Sequence, residues 1–209
     1  MTTTQIAIID YGLGNLRSVE RGFQRSNANV IVTSDPEIMF NSDGIVLPGV
    51  GAFSEGIGNA EHLRKDIVEI SENGTPTFGI CLGMQMLLTK SEESERVGQG
   101  DVKGLNLIPG NNIRLRNRKV PHMGWNKLKI VRGHPIVDGI DGEYVYFVHS
   151  YHAVPEDNSA IIGTTEYGLE FASIIARDNI FATQFHPEKS GAAGLKILHN
   201  FIEFCQEKS

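Results

Sequence analysis

Short apolar runs alternate with segments of helical spacing along the first half of the chain. The apolar runs, which predict β-strands, occupy residues 6–9, 30–32, 44–47 and 75–80. The segments after them repeat apolar residues every three or four positions and predict helices, for example at Leu16, Val19 and Phe23. Since strands that alternate with helices form parallel sheets covered on both faces, this half predicts a three-layer α/β fold.

The second half is richer in strand patterns and ends in one amphipathic helix. Its predicted strands occupy residues 113–115, 127–131, 143–148, 160–164, 171–176 and 180–185. The final helix has an apolar stripe that includes Leu198, Phe201 and Cys205, and Cys205 is interpreted there as a small buried hydrophobe. Residues 91–100 are polar and charged and predict an exposed loop.

No repeat, linker or change of composition divides the chain. We therefore expect a single domain over residues 1–209, with a mostly parallel central sheet flanked by helices and extra antiparallel strands in the second half. A hydrophobic fraction of 40% with 21% charged residues is ordinary for a globular protein of this size.

The charge balance argues against nucleic acid as the main partner, since the formal net charge is −6. One basic stretch contains Arg114, Arg116, Arg118 and Lys119, and strand alternation would put its arginines on one face. We interpret it as a solvated or partner-facing edge; a patch for an anionic ligand or nucleic acid is the alternative, which the lack of interleaved aromatic residues disfavours. No apolar stretch reaches the ~18 residues of a membrane span and no secretory pattern is present, so a cytoplasmic protein without a membrane role is expected.

Cys81 is the strongest candidate for chemistry. It stands in Gly79-Ile-Cys-Leu-Gly83, after a predicted strand and before a predicted helix, which is the pattern of a nucleophile elbow with a thiol. Free backbone N–H groups and the helix dipole at such a position stabilise a thiolate. A buried structural cysteine in a glycine-rich turn is the alternative interpretation.

His186-Pro187-Glu188 supplies the helpers that such a thiol needs. Proline favours an extended residue before it, and positions i and i+2 of an extended segment point to the same side. We therefore expect Glu188 to orient the imidazole of His186, which accepts the proton of Cys81.

An oxyanion hole for this nucleophile requires backbone donors. The N–H of Leu82 follows the nucleophile directly. The turn at residues 48–51, Pro-Gly-Val-Gly, ends a predicted strand at the edge where open α/β sheets bind ligands, so Val50 and Gly51 are the expected second donors. Because glycines flank Val50, we also expect this backbone to flip when a partner binds its own ligand.

A cofactor and a metal are not expected. Gly12-Leu13-Gly14 follows the first predicted strand, but Arg17 occupies the position where a third glycine would permit close packing on a dinucleotide site. His149, His152 and His186 do not have the spacing of zinc ligands.

With these residues assembled, the chain resembles the class I, or triad-type, glutamine amidotransferases over essentially its whole length. Residues 79–85 and 186–188 match that family's Gly-x-Cys-x-Gly-x-Gln and His-Pro-Glu motifs without departure. The resemblance implies a flavodoxin-like fold and a triad of Cys81, His186 and Glu188 that hydrolyses L-glutamine through a thioester. It assigns glutamine binding to Gly49, Gln85, Ser150 and Tyr151. Spacing alone leaves a solvent-facing position open for Gln85.

Three segments narrow the resemblance to the glutaminase subunits of histidine biosynthesis. They are residues 10–19, 121–126 and 146–152, which read Asp-Tyr-Gly-Leu-Gly-Asn-Leu-Arg-Ser-Val, Pro-His-Met-Gly-Trp-Asn and Tyr-Phe-Val-His-Ser-Tyr-His. The implied partner is a separate (β/α)₈-barrel cyclase subunit that receives the ammonia. The implied contact residues are Asn15, Met123, Trp125, Tyr146 and Lys189. A core position is an equal alternative for Trp125.

Two other functions are kept as alternatives. The elbow is shared by amidotransferase subunits of other synthases, although the three segments disfavour them. A non-catalytic protein that senses oxidants through Cys81 is the second alternative, but it would not need Gln85 or the pair of His186 and Glu188.

Overall fold

The computed structural model describes residues 3–96, 98, 102–116 and 118–208. Its strands are β1 (Gln5–Ile9), β2 (Asn29–Thr33), β3 (Gly44–Leu47), β4 (Thr77–Ile80), β5 (Lys90–Ser91), β6 (Gly110–Arg114), β7 (His122–Lys127), β8 (Lys129–Ile130), β9 (Tyr144–His149), β10 (Tyr151–Pro155), β11 (Ile161–Glu166), β12 (Glu170–Arg177) and β13 (Ile180–Thr183). Its α-helices are α1 (Leu16–Arg25), α2 (Pro36–Phe40), α3 (Phe53–Ala60), α4 (Arg64–Glu72), α5 (Leu82–Met86), α6 (Glu92–Arg96) and α7 (Gly191–Lys208). Short 3₁₀ turns occupy Glu61–Leu63, Pro135–Val137, Asn158–Ala160 and Pro187–Lys189.

The central sheet has the strand order β2-β1-β3-β4-β13-β12-β10-β6-β5 in the described ranges, with β11 paired to β12 and β8 paired to β11. From β2 to β13 the pairs are parallel, and Ile8 of β1 lies beside Val32 and Val46. From β13 onward the pairs are antiparallel, apart from β5 with β6. β7 and β9 form a separate antiparallel sheet. The predicted α/β class, parallel first and antiparallel later, is confirmed.

Apolar layers cover both faces of the central sheet. On one face α1 and α7 pack so that the ring of Phe201 lies 5.1 Å from that of Phe78 and 6.1 Å from that of Phe23. Cys205 is fully buried in this layer. On the other face α3, α4 and α5 enclose Phe53 and its neighbours. Each large apolar side chain buried in this way contributes about 1.5–3 kcal/mol, so the strand ends are held in fixed relative positions.

Some local predictions are wrong because tertiary pairing overrides local pattern. The segment at residues 91–100 is not an exposed loop throughout: it begins with the end of β5 and with α6, and Ser91 and Ser94 are buried. Residues 97, 99 and 100 lie outside the described residues. The predicted strands also omit β7, whose Gly124 and Asn126 have weak strand preference and depend on pairing with β9.

The arginines of the basic stretch do not share one strand face, because β6 ends at Arg114. Arg116 instead lies 3.4 Å from a carboxylate oxygen of Glu92, an exposed pair that contributes at most about 1 kcal/mol. The side chain of Arg118 packs over Gly168. Within the described ranges, no helix combines the length and the apolar character needed to cross a membrane.

Buried histidines lie between the two sheets. His122, His149 and His152 are 3%, 5% and 8% exposed. Burial lowers the pKa of His122 to about 4 and that of His149 to about 3. These imidazoles are therefore neutral in the native protein at physiological pH.

We predict that the free energy of unfolding decreases as the pH falls below about 6.5, the ordinary pKa of histidine in an unfolded chain. The native-state pKa values are lowered, so this contribution is complete above that pH and is lost as the pH falls toward about 4 for His122. Urea unfolding of His122→Phe between pH 7.5 and 5 should show a shallower decrease than the parent. His199→Asn, at an exposed position on α7, is the control, and an equal change of slope in both variants would contradict the prediction.

Candidate active site

The predicted site residues converge on one cavity of about 240 Å³ beside the carboxyl ends of β3 and β4. Its lining consists of Val50, Gly51, Cys81, Gln85, Glu93, Pro121, Val148, His149, Ser150, Tyr151 and His186. A larger cleft of about 560 Å³ contains Arg132 and Arg177 but no residue of the predicted triad. We therefore place the chemistry in the smaller cavity.

Cys81 occupies a strained turn between β4 and α5. Its φ of 55° and ψ of −103° lie in a region that residues with a side chain rarely adopt, at a cost of about 1–3 kcal/mol. The turn depends on the two glycines that lie two positions before and two positions after Cys81. A Cβ atom at Gly83 would overlap the carbonyl oxygen of Leu47, and one at Gly79 would lie 2.8 Å from Leu87. The strand–turn–helix context that the sequence predicts for the elbow is therefore present.

The imidazole of His186 is paired with Glu188 in a dry environment. Its Nδ1 lies 2.8 Å from a carboxylate oxygen of Glu188, and the two side chains are 2% and 1% exposed. Burial disfavours the charged imidazolium, but the interactions with Cys81 and Glu188 outweigh burial and raise the pKa of His186 to about 9. His186 Nε2 is buried and has no hydrogen-bond partner of ordinary geometry within the described residues.

One part of the local reasoning for this pair is wrong. His186 is extended, with φ −97° and ψ 97°, but Pro187–Lys189 forms a 3₁₀ turn rather than continuing the strand. Glu188 reaches the imidazole because the turn folds back. Tertiary contacts hold His186 in place: its N–H donates to the carbonyl of Tyr146 at 3.0 Å, and Ser190 Oγ donates to its carbonyl at 2.6 Å.

The backbone donors predicted for the oxyanion hole are not all free in this conformation. The N–H of Leu82 donates to the carbonyl of Gly49, with a distance of 3.4 Å. The hydroxyl of Tyr11 donates to the preceding carbonyl, that of Pro48. Val50 is 39% exposed, and the φ of Gly51 is +111°. The turn at residues 48–51 is thus held by hydrogen bonds on two successive carbonyl groups.

Gln85 is buried beside the thiol rather than facing solvent. Its amide nitrogen donates to the carbonyl of Tyr151 and to Oε1 of Gln184, both at 3.2 Å. The amide of Gln184 also donates to the sulfur of Cys81 at 3.7 Å. Sequence reasoning missed Gln184 because only its position beside the His-Pro-Glu motif pointed to it.

Glu93 was also missed, because it lies in the segment predicted as a loop. It lines the cavity, and its carboxylate accepts the N–H of Phe53 at 2.7 Å, which ties α6 to the start of α3. In the described part of the chain, no group of His, Cys, Asp or Glu side chains is arranged to hold a metal ion.

The residues predicted to contact a partner lie mostly on one surface, which we call the aromatic patch: Met123, Trp125, Tyr146 and Lys189. Met123 and Trp125 on β7 are 63% and 56% exposed, so the core alternative for Trp125 is wrong. The ring of Tyr146 on β9 lies 6.0 Å from that of Trp125 and 6.0 Å from the ammonium group of Lys189. Asn15 is exposed immediately before α1.

A family model described as glutamine amidotransferase class-I matches residues 7–204, so the chain belongs to that family. It is 59% identical to the imidazole glycerol phosphate synthase subunit HisH of Natronomonas pharaonis, over 99% of this chain and 97% of the relative. It is 56% identical to the subunit of the same name from Haloarcula marismortui, over 98% of this chain and 97% of the relative. The class and the narrower resemblance predicted from the sequence are both confirmed.

Solved structures agree with the fold. The structure of PurLQS from Thermotoga maritima matches with a TM-score of 0.72 and 17% identity, over 97% of this chain and 99% of that chain. A glutamine amidotransferase from the same organism matches with a TM-score of 0.63 and 19% identity, over 100% of this chain and 84% of that chain.

We predict that Gly49→Ala lowers the free energy of unfolding by about 1–3 kcal/mol, because an added methyl group overpacks the turn. Its Cβ would lie 2.5 Å from the hydroxyl of Tyr11 and 2.7 Å from Leu82. Gly58→Ala on α3 is the control: nothing lies within 4 Å of an added Cβ there, and it should gain about 0.5–1 kcal/mol. Urea unfolding compares the two. Equal stability of Gly49→Ala and the parent would show that the turn is not tightly packed.

Proposed function

We propose that this chain is a single amidotransferase domain, residues 1–209, that hydrolyses L-glutamine to L-glutamate and ammonia as the glutaminase subunit of imidazole glycerol phosphate synthase. The observation that carries the proposal is the strained elbow thiol of Cys81 beside the buried pair of His186 and Glu188, in a member of the amidotransferase family. The identity to subunits of that name over nearly the full chain favours this synthase over others.

The raised pKa of His186 supports a charged imidazolium beside Cys81, which we propose reacts as a thiolate. The thiolate of Cys81 attacks the side-chain carbonyl carbon of glutamine and forms a tetrahedral adduct. The imidazolium then donates its proton to the departing nitrogen, which leaves as ammonia, and a thioester remains. Water attacks the thioester carbon while neutral His186 accepts a proton from it, which restores the imidazolium. The carbon–sulfur bond then breaks, the Cys81 thiolate is regenerated, and glutamate leaves after its new carboxyl group loses a proton to solvent. Glu188 stabilises the charged imidazole throughout.

The remaining predicted residues hold the substrate. Gln85, Ser150 and Tyr151 line the cavity beside the thiol, and Gly49 lies directly behind the elbow, which supports their proposed role in glutamine binding. No cofactor or metal has a step in this chemistry.

Activity requires a change in the turn at residues 48–51. The N–H of Leu82 cannot stabilise an oxyanion while it donates to the carbonyl of Gly49. Rotation of the peptide between Gly49 and Val50 would release Leu82 and turn the N–H of Val50 toward the developing charge. The N–H of Gly51, in the next peptide, is the other proposed donor. Glycines on both sides of Val50 lower the cost of this rotation.

Ammonia is a nucleophile only while uncharged, and in bulk water at neutral pH it becomes protonated. The chain therefore needs a partner that accepts ammonia out of contact with solvent. We propose a (β/α)₈-barrel cyclase subunit in the cytoplasm, whose products are imidazole glycerol phosphate and an aminoimidazole carboxamide ribotide. The aromatic patch supports this choice, because exposed aromatic and methionine side chains are enriched in interface cores. Asn15 is proposed as a further contact.

We predict that Cys81→Ala lowers glutamine-dependent synthase activity of the complex by at least about 10³-fold, because the nucleophile is lost. Activity with ammonium salts should persist, since ammonia then bypasses the glutaminase site. Cys205→Ala removes the other thiol, in the layer with α7, and is the matched control. Full glutamine-dependent activity of Cys81→Ala would exclude the proposed mechanism.

We predict that Trp125→Ala weakens binding of the cyclase subunit about 30-fold or more, because a central aromatic anchor is worth about 2 kcal/mol or more. Titration calorimetry with the purified cyclase subunit measures the change. Phe40→Ala removes an exposed aromatic on α2, which packs on β1 and α4, and should bind like the parent. Equal affinity of Trp125→Ala and the parent would place the partner elsewhere.

A further inference from the structure

A chain of polar side chains runs from the carbonyl of Glu166 to the cavity lined by Cys81 and Gln85, and the proposed mechanism does not use it. His149 Nδ1 lies 2.8 Å from the carbonyl oxygen of Tyr151. His149 Nε2 lies 3.0 Å from His122 Nδ1, and the two residues are register partners across β7 and β9. Asn126 Nδ2 lies 3.4 Å from His122 Nε2 and donates to the carbonyl of Glu166 at 2.8 Å. We call His149, His122 and Asn126 the histidine thread.

The two carbonyl groups at its ends determine where each proton of the thread lies. A carbonyl oxygen only accepts, so His149 carries its proton on Nδ1 and the amide of Asn126 directs its nitrogen toward Glu166. His149 Nε2 is then an acceptor and His122 Nδ1 is the donor to it. His122 Nε2 is left as an acceptor for the second amide proton of Asn126. Both ends lead to the same assignment: two neutral imidazoles, each protonated on Nδ1.

A different protonation state would disrupt the thread. A second proton on either imidazole would make two donors face each other across 3.0 Å or 3.4 Å. The surroundings also disfavour charge: His122 stacks between Tyr167 and Phe147, with ring centroids 4.0 Å and 4.8 Å away. Lowered pKa values of both imidazoles agree with this, and the titratable neighbours of His149 are His122, His152 and His186.

The thread ends at the backbone segment to which the proposed function assigns glutamine binding. β9 ends at His149 and β10 begins at Tyr151, so Ser150 is the point where the chain passes from the small sheet to the central sheet. The carbonyl of Ser150 accepts the N–H of Leu115 at 2.9 Å, and the carbonyl of Tyr151 accepts Gln85 and His149. His149 thus provides one of the hydrogen bonds that hold this junction.

We infer that His122 and His149 are neutral positioning residues, whose one-directional hydrogen bonds hold the Ser150–Tyr151 backbone in the conformation that receives glutamine. The role in glutamine binding rests on the proposed function, whereas the proton assignment is independent of it. A buried polar network with an unsatisfied hydrogen bond is less stable than an apolar core. Removal of one side chain of the thread therefore leaves its neighbour without a partner, and that neighbour can move. β7 and β9 also carry most of the aromatic patch, on the faces opposite the thread, so the same two strands connect the patch with the glutamine cavity.

Nitrogen-15 NMR of the full chain, labelled on histidine, tests the proton assignment without any activity. The two resonances are identified by their loss in His122→Asn and His149→Asn. We expect each ring to show a protonated Nδ1 and an unprotonated Nε2, unchanged between pH 6 and 8. An Nε2-protonated ring, or a titration near pH 6.5 in either residue, would overturn the inference.

Steady-state kinetics of the complex with the cyclase subunit test the positioning role. His122 does not line the cavity, so a substitution there removes a hydrogen bond of the thread without removing a side chain that faces glutamine. His122→Phe should raise the KM for glutamine about tenfold with ammonia-dependent activity unchanged, and His122→Asn, whose amide can replace the Nδ1 donor, should recover most of the loss. His62→Asn, at an exposed position in Glu61–Leu63, is the control for removal of a histidine.

The outcomes separate the positioning role from its alternatives. An unchanged KM for glutamine in His122→Phe, or equal loss of both activities without recovery in His122→Asn, would show that the thread is merely structural. Absence of glutamine hydrolysis by the unmodified complex would instead reject the proposed function, and the NMR result would still decide the proton assignment.

Discussion

The contact between two backbone turns at the carboxyl ends of β3 and β4 is the constraint on which the active site depends. α5 approaches the carbonyl of Leu47 so closely that position 83 has no room for a side chain, and Gly49 fits between Tyr11 and Leu82 for the same reason. Because β3 and β4 are parallel neighbours, these ends lie at the same level of the sheet. A methyl group at either glycine would separate the nucleophile from the turn that must provide its oxyanion donors.

β9 joins the surface of the molecule to this centre. The side chain of Tyr146 belongs to the aromatic patch, while its carbonyl holds the N–H of His186 and its N–H donates to Ser190 at 3.0 Å. At the end of the same strand, His149 begins the histidine thread. A partner seated on the patch would therefore contact the strand that carries both the support of the catalytic imidazole and the edge of the glutamine cavity.

Burial explains why so few polar groups suffice at the site. The pair of His186 and Glu188 is almost completely excluded from water, which strengthens its hydrogen bond; this bond and the interaction with Cys81 outweigh the cost of burial and raise the pKa of His186. Burial disfavours charge on the histidines of the thread as well, and their pKa values are lowered because they face aromatic rings and other imidazoles rather than a carboxylate. Identical side chains thus have different charge states according to their neighbours.

Local patterns were sufficient for the features that depend on near neighbours in the chain. Apolar periodicity predicted β1, β3, β4 and the main helices, since burial of a strand or of one helix face imposes that period. The elbow at Cys81 and the pair at residues 186–188 were recognisable because glycine, proline and spacing constrain the backbone locally.

Other features depend on residues that are distant in sequence and could not be predicted in this way. Gln184 reaches the thiol because β13 lies beside β4, and Glu93 lines the cavity because pairing with β6 orders a segment that is polar in composition. The sequence by itself determined the fold class and the set of side chains that we propose for the chemistry. Only the tertiary structure decided the opposite pKa shifts of His186 and the histidines of the thread, and the hydrogen bond between Leu82 and the turn at residues 48–51, because burial and long-range hydrogen bonds set both.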